Sequence, residues 1–123
     1  MKIVLDTSFL ITCVKFKVDF MSELSGHKLF ILDKVIEELE KVSEERGKDG
    51  VSARIAMTLL ERNDVGILEA GTETDVALIL YGRRGYAIAT QDTKLRRKLR
   101  NRRVRLIYLK QKRYVKIEER YYD

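Results

Sequence analysis

Lys2-Ile3-Val4-Leu5-Asp6-Thr7-Ser8-Phe9-Leu10 is the stretch on which the reading of this chain turns. Lys2–Leu5 reads as a short strand: it is apolar after Lys2, rich in β-branched residues, and ended by groups that suit a helix start. Asp6, Thr7 and Ser8 are good helix N-caps, and Phe9–Val14 continues with the apolar content of a helix packed on a core. A buried strand that runs through a carboxylate into a helix is the first half of a β-α-β unit. It predicts an α/β domain.

The same phrase recurs further along the chain. Val18–Leu24 extends the first helix or starts another, and Gly26 breaks it. Lys28–Leu32 is a second strand, with Asp33 capping a helix over Lys34–Glu45. A polar loop at Arg46–Gly50 precedes a helix at Val51–Arg62, where Val51, Ile55, Ala56 and Leu59 repeat at helical spacing. Gly66–Ala70 is a short strand followed by a helix over Glu73–Arg83. Tyr86–Thr90 has the apolar character of a sheet centre, and Asp92 opens a basic helix at Thr93–Asn101. Val104–Leu109 is the next strand, and Tyr114–Ile117 is a candidate edge strand in a tail that the pattern leaves ambiguous. The alternation predicts a mainly parallel sheet in a single domain spanning residues 1–123.

Composition narrows the chemistry. Cys13 is the only cysteine, so neither an intramolecular disulfide nor a cysteine metal cluster is available. His27 is the only histidine, which argues against His-rich metal sites. No apolar run approaches the ~20 residues of a membrane span, and the N-terminus meets Asp6 too early for a signal peptide. A soluble, cytoplasmic protein is expected. Net charge is +6, but it is unevenly spread. Thr93 to Ile117 carries twelve Lys/Arg and no acid, whereas thirteen basic residues face nineteen acidic ones elsewhere. A block of this kind draws phosphate backbones by counterion release, so a polyanion is the expected partner.

In an open parallel sheet the functional crevice lies beyond the carboxyl ends of the strands. Asp6, Glu38, Asp75 and Asp92 each follow a different strand and fall at that rim. Glu37 and Glu38 separate on a helical wheel. Glu37 stands roughly 170° from the apolar face of Val35, Ile36, Leu39 and Val42, and Glu38 stands roughly 90° away on its flank. Glu38 is therefore the candidate ligand and Glu37 surface. Four clustered carboxylates persist only when cations neutralise them or some are protonated. Hard oxygen donors without His or Cys select Mg2+ or Mn2+. Taken one at a time, the acids have plainer readings: Asp6 and Asp92 as N-caps, Asp75 as a dipole complement, Glu38 as a solvated residue. The adjacent basic stretch offers Lys94, Arg96, Arg97 and Arg100 as candidate contacts for a phosphate backbone. Lys94, Arg97 and Lys98 share one side of that helix, and Arg96 and Arg100 share another.

At these residues the chain resembles the PIN-domain ribonucleases. The motifs are Val4-Leu5-Asp6-Thr7-Ser8-Phe9-Leu10, Val35-Ile36-Glu37-Glu38-Leu39, Thr74-Asp75-Val76-Ala77, and Ala89-Thr90-Gln91-Asp92-Thr93-Lys94-Leu95-Arg96. The resemblance implies a PIN-like (Rossmann-like) three-layer α/β/α fold and a Mg2+- or Mn2+-dependent endoribonuclease. Asp6, Glu38, Asp75 and Asp92 would be its catalytic metal ligands, with Thr7 and Thr90 in support. It also implies a homodimer acting on single-stranded or structured RNA. The arginine-rich helix looks closest to rRNA-processing members, with rRNA as substrate and ribosome-assembly proteins as partners. The lone Cys13 rules out the zinc ribbon some of those members carry. A toxin-type nuclease of a toxin–antitoxin pair and a non-cleaving RNA-binding assembly factor are the alternatives. A phosphoaspartyl phosphatase would need an acid where Ser8 stands, and no G-x-x-x-x-G-K-[ST] phosphate loop is present.

Overall fold

β1 (Lys2–Leu5) is flanked on both sides by parallel strands, as its fully apolar Ile3, Val4 and Leu5 require. The computed structural model describes residues 1–118. After β1 come α1 (Thr7–Lys15), α2 (Phe20–Glu23), β2 (Lys28–Leu32), α3 (Asp33–Ser43) and α4 (Lys48–Arg62). They are followed by β3 (Gly66–Leu68), α5 (Thr74–Arg83), β4 (Ala87–Ala89), α6 (Thr93–Asn101), β5 (Leu106–Lys110) and β6 (Tyr114–Ile117). The sheet order is β3-β2-β1-β4-β5-β6, parallel except for the β5–β6 pair. Residues 119–123, the end of the ambiguous tail, lie outside the described residues.

From β1 the chain first builds outward to β2 and β3, then returns to the other side of β1 with β4 and β5. The order reverses between β1 and β4, so a crevice opens beyond their carboxyl ends. Right-handed crossovers place α1 through α4 on one face and α5 and α6 on the other. Consistent with this, α4 packs on α1 and α3, and α5 packs on α6. The three-layer architecture expected from the sequence is present.

Several boundaries move, each for a physical reason. α4 starts three residues earlier than expected, and its buried face is Gly50, Ser52, Ala53 and Ala56. Val51 and Ile55, whose helical spacing points to this helix, are 47% and 45% exposed. Small residues win where α4 meets the turn that leads into it and the end of α3: a Cβ at Gly50 would collide with the Glu45 carbonyl and crowd the Val42 carbonyl oxygen at 3.3 Å. Asp33 does not cap α3 from outside. It is the first helical residue, and its Oδ1 accepts from Lys34 N at 2.8 Å and from Ala70 N at 3.0 Å, tying α3 to the loop after β3. Among the described residues no helix is long and apolar enough to cross a membrane.

Candidate active site

Four strand-to-helix junctions meet at the switch point. Asp6, Thr7, Ser8, Glu38, Thr74, Asp75 and Asp92 line one open cleft of about 320 Å³. The structure thus brings together all four acids expected at the rim. Glu38 lines the cleft and Glu37 is exposed, as the helical phase of α3 predicts.

The acids are held differently. Asp6 is only 8% exposed, and its main-chain N–H donates to Ala89 O at 2.9 Å, so β4 anchors it directly. It occupies the N-cap position of α1, yet its side chain makes no capping bond. Instead Oδ2 accepts from Thr90 Oγ1 at 2.8 Å and from Ser8 Oγ at 3.3 Å. Burial pushes its carboxyl up to about 6, and the nearby Glu38 charge adds to that, while the hydroxyl and main-chain bonds oppose it. Glu38 is gripped on both oxygens: Thr7 Oγ1 donates to Oε2 at 2.7 Å and Thr74 Oγ1 to Oε1 at 3.0 Å.

Asp75 and Asp92 are exposed and begin α5 and α6. Desolvation raises the Asp75 carboxyl, the charges of Asp92, Glu38 and Glu73 raise it further, and Lys98 pulls it down. Asp92 is a true N-cap: its Oδ1 accepts from Lys94 N at 2.9 Å and Leu95 N at 3.1 Å. Its capping role and its place in the cleft coexist, because the cap uses one oxygen only.

Thr7 and Thr90 stand where they were expected, each bonded to an acid. Thr74 and Ser8 were missed. The signal for Thr74 was its position directly before Asp75, and for Ser8 its position two residues after Asp6.

α6 splits its cations into two sets. Leu95 and Leu99 are buried, whereas Lys94, Arg97 and Lys98 are exposed. Arg100 is bound by Glu118, with Nε to Oε2 at 2.9 Å and Nη2 to Oε1 at 2.9 Å. The Arg96 guanidinium lies 4.4 Å from the Tyr108 ring centroid. Arg96 and Arg100 are thus engaged with β5 and with Glu118, just past β6.

Residues 3–112 match the PIN-like domain family. The chain belongs to this family. At the level of individual proteins, it is 34% identical to Ribonuclease VapC9 of Archaeoglobus fulgidus over 94% of this chain and 87% of that protein. It is 28% identical to Ribonuclease VapC4 of Methanocaldococcus jannaschii over 94% of this chain and 95% of that protein. A domain of a functionally unknown protein from M. jannaschii shares the fold, with a TM-score of 0.65 at 14% identity and 99% coverage of both chains.

A PIN-like domain implies a divalent cation, and the donors here suit one. Every group lining the cleft offers hard oxygen ligands, the set that Mg2+ and Mn2+ prefer. Burial raises the Asp6 and Asp75 carboxyls and the neighbouring acids raise them further; a cation in the cleft would offset both. Among the described residues no three acids are yet drawn into a preformed metal cage.

Proposed function

We propose that this PIN-like domain is a Mg2+- or Mn2+-dependent endoribonuclease of the toxin type, held in check by an antitoxin protein. One observation carries the proposal: four carboxylates from four separate junctions line one cleft, beside a helix with exposed cations on one side. The kinship with two proteins named as VapC ribonucleases supports RNA as the substrate and favours the toxin type. Neither of these two relatives favours the rRNA-processing role expected from the arginine-rich helix, nor the ribosome-assembly partners expected with it. A single domain, acting as a cytoplasmic homodimer, completes the reading.

In this reading Asp6, Glu38, Asp75 and Asp92 hold the cation, which supplies Lewis acidity at the scissile phosphate. Thr90 and Ser8 orient the Asp6 carboxylate, and Thr7 and Thr74 orient Glu38. Each is fixed before substrate arrives, so little reorganisation is left for the reacting complex. Lys94 and Arg97, with Lys98 beside them, bind the RNA backbone next to the acids. Arg96 and Arg100 instead hold β5 and Glu118 against α6.

Induced expression of the chain in a bacterial host tests the toxin reading. Growth arrest with RNA fragmentation, absent for Asp6→Asn, is the expected result. Undiminished growth with a well-expressed, folded and RNA-cleaving protein would refute the toxin role while leaving the nuclease.

A further inference from the structure

β4 stops at Ala89, whereas its neighbour β5 runs on to Lys110. Thr90 N still reaches Ile107 O at 3.0 Å, and the next ladder groups facing β4 belong to Leu109. One side chain takes both of them. Leu109 N donates to Gln91 Oε1 at 2.6 Å, and Gln91 Nε2 donates to Leu109 O at 3.2 Å. A side-chain amide stands in for the missing peptide of β4. The main chain at Thr90–Asp92 is thereby released from the sheet and can turn toward the cleft.

The released turn is pinned at two further points. Gln91 N donates to Ser8 Oγ at 3.0 Å, and Asp92 N donates to Thr90 Oγ1 at 3.2 Å. Ser8 and Thr90 are the hydroxyls that also hold Asp6. The segment carrying Asp92 is therefore referenced on one side to Asp6, through these hydroxyls, and on the other to β5, through Gln91. Only Gln has the required donor, acceptor and reach. Asn is one methylene short, and Glu would set a carboxylate oxygen against the Leu109 carbonyl.

We propose that Gln91 is a positioning residue that fixes the separation of the Asp92 and Asp6 carboxylates, and so tunes the cleft's affinity for a divalent cation. The proposal rests on the metal-site reading above. Groups that orient metal ligands without touching the metal commonly contribute ten- to a hundredfold in affinity or activity. Gln91 belongs at the lower end, because it acts through the backbone rather than on the carboxylate itself.

Calorimetric titration of Mn2+ into metal-free protein, wild type against Gln91→Met, tests it. Met keeps the side-chain length and loses both hydrogen bonds. The Mn2+ Kd is expected to rise about tenfold, with RNA affinity in EDTA and its salt dependence unchanged. A purely structural role for Gln91 predicts a lower Tm with an unaltered Mn2+ Kd, and that result overturns the proposal. If Gln91→Met fails to fold, Gln91→Asn, which keeps the amide but not the reach, is read by the same two criteria. Failure of wild type to take up Mn2+ is a different outcome: it removes the metal-site reading, and this inference with it.

Discussion

The two sides of the cleft are built on different terms. On the inner side Asp6 and Glu38 are wired by four hydroxyls, those of Thr90, Ser8, Thr7 and Thr74. On the outer side Asp75 and Asp92 stand exposed at helix starts, and Asp92 is held by its own helix. The inner pair is preorganised, and Asp6 carries the cost of burying negative charge. The outer pair is the more exposed, although desolvation still raises the Asp75 carboxyl, and Asp92 is placed by its capping bonds and by the turn that Gln91, Ser8 and Thr90 pin. A site assembled this way combines a half held by side-chain hydroxyls with a more exposed half set at helix starts. The lesson is that ligand residue types do not reveal which carboxylates are strained; their burial and partners do.

Substitutions can break or sharpen that contrast. The largest effect is expected at the buried member: Asp6→Asn should abolish RNA cleavage while leaving the fold intact, measured with single-stranded RNA and by circular dichroism. Glu38→Gln should lose at least about a hundredfold in cleavage rate, roughly 2.7 kcal/mol of barrier, with Glu37→Gln near wild type. Equal losses at both positions would mean that the grip of Thr7 and Thr74 does not select Glu38.

Stability without metal separates the two sides more finely. The folded-state carboxyl of Asp6 lies near 6, above its ordinary 3.8, so the folded state holds that proton more tightly than the unfolded state. Its contribution is therefore favourable at low pH and is lost as pH rises from about 4 through about 6. Asp6→Asn should stabilise the metal-free protein at pH 8 by about 1–3 kcal/mol, and the gain should vanish near pH 4. Asp92→Asn should leave stability within about 0.5 kcal/mol, because Asn caps a helix about as well as Asp. Thermal melts across that pH range decide it; a matching gain in both variants would erase the distinction between inner and outer acids.

The smallest effect concerns the cations beside the outer pair. Lys94→Ala with Arg97→Ala should weaken RNA binding for all sequences and flatten the salt slope by about one to two units on the single-strand scale of about −0.7 per phosphate. Cleavage at saturating RNA should change much less. An unchanged slope would assign that side of α6 to a protein interface.

Most of this architecture was legible in the sequence, because the features that specify it are local. Short β-branched runs mark the strands, and an acid after each turn places the rim. The α3 phase was readable since Val35, Ile36, Leu39 and Val42 leave a single apolar stripe. The packing face of α4 was less legible, for the opposite reason. Its contact face is made of small residues that permit close approach, a tertiary fact that hydrophobic spacing does not encode. The fates of Arg96 and Arg100 were equally hidden, since their partners Tyr108 and Glu118 arrive only once β5 and β6 are in place. The side-chain bridge from Gln91 to Leu109 was hidden too, because it depends on β4 ending before β5.

Anomalous scattering from crystals equilibrated with Mn2+ tests the central claim most directly. The account predicts a peak inside the cleft bounded by Asp6, Glu38, Asp75 and Asp92. A peak elsewhere, or an empty cleft at saturating Mn2+, would contradict it.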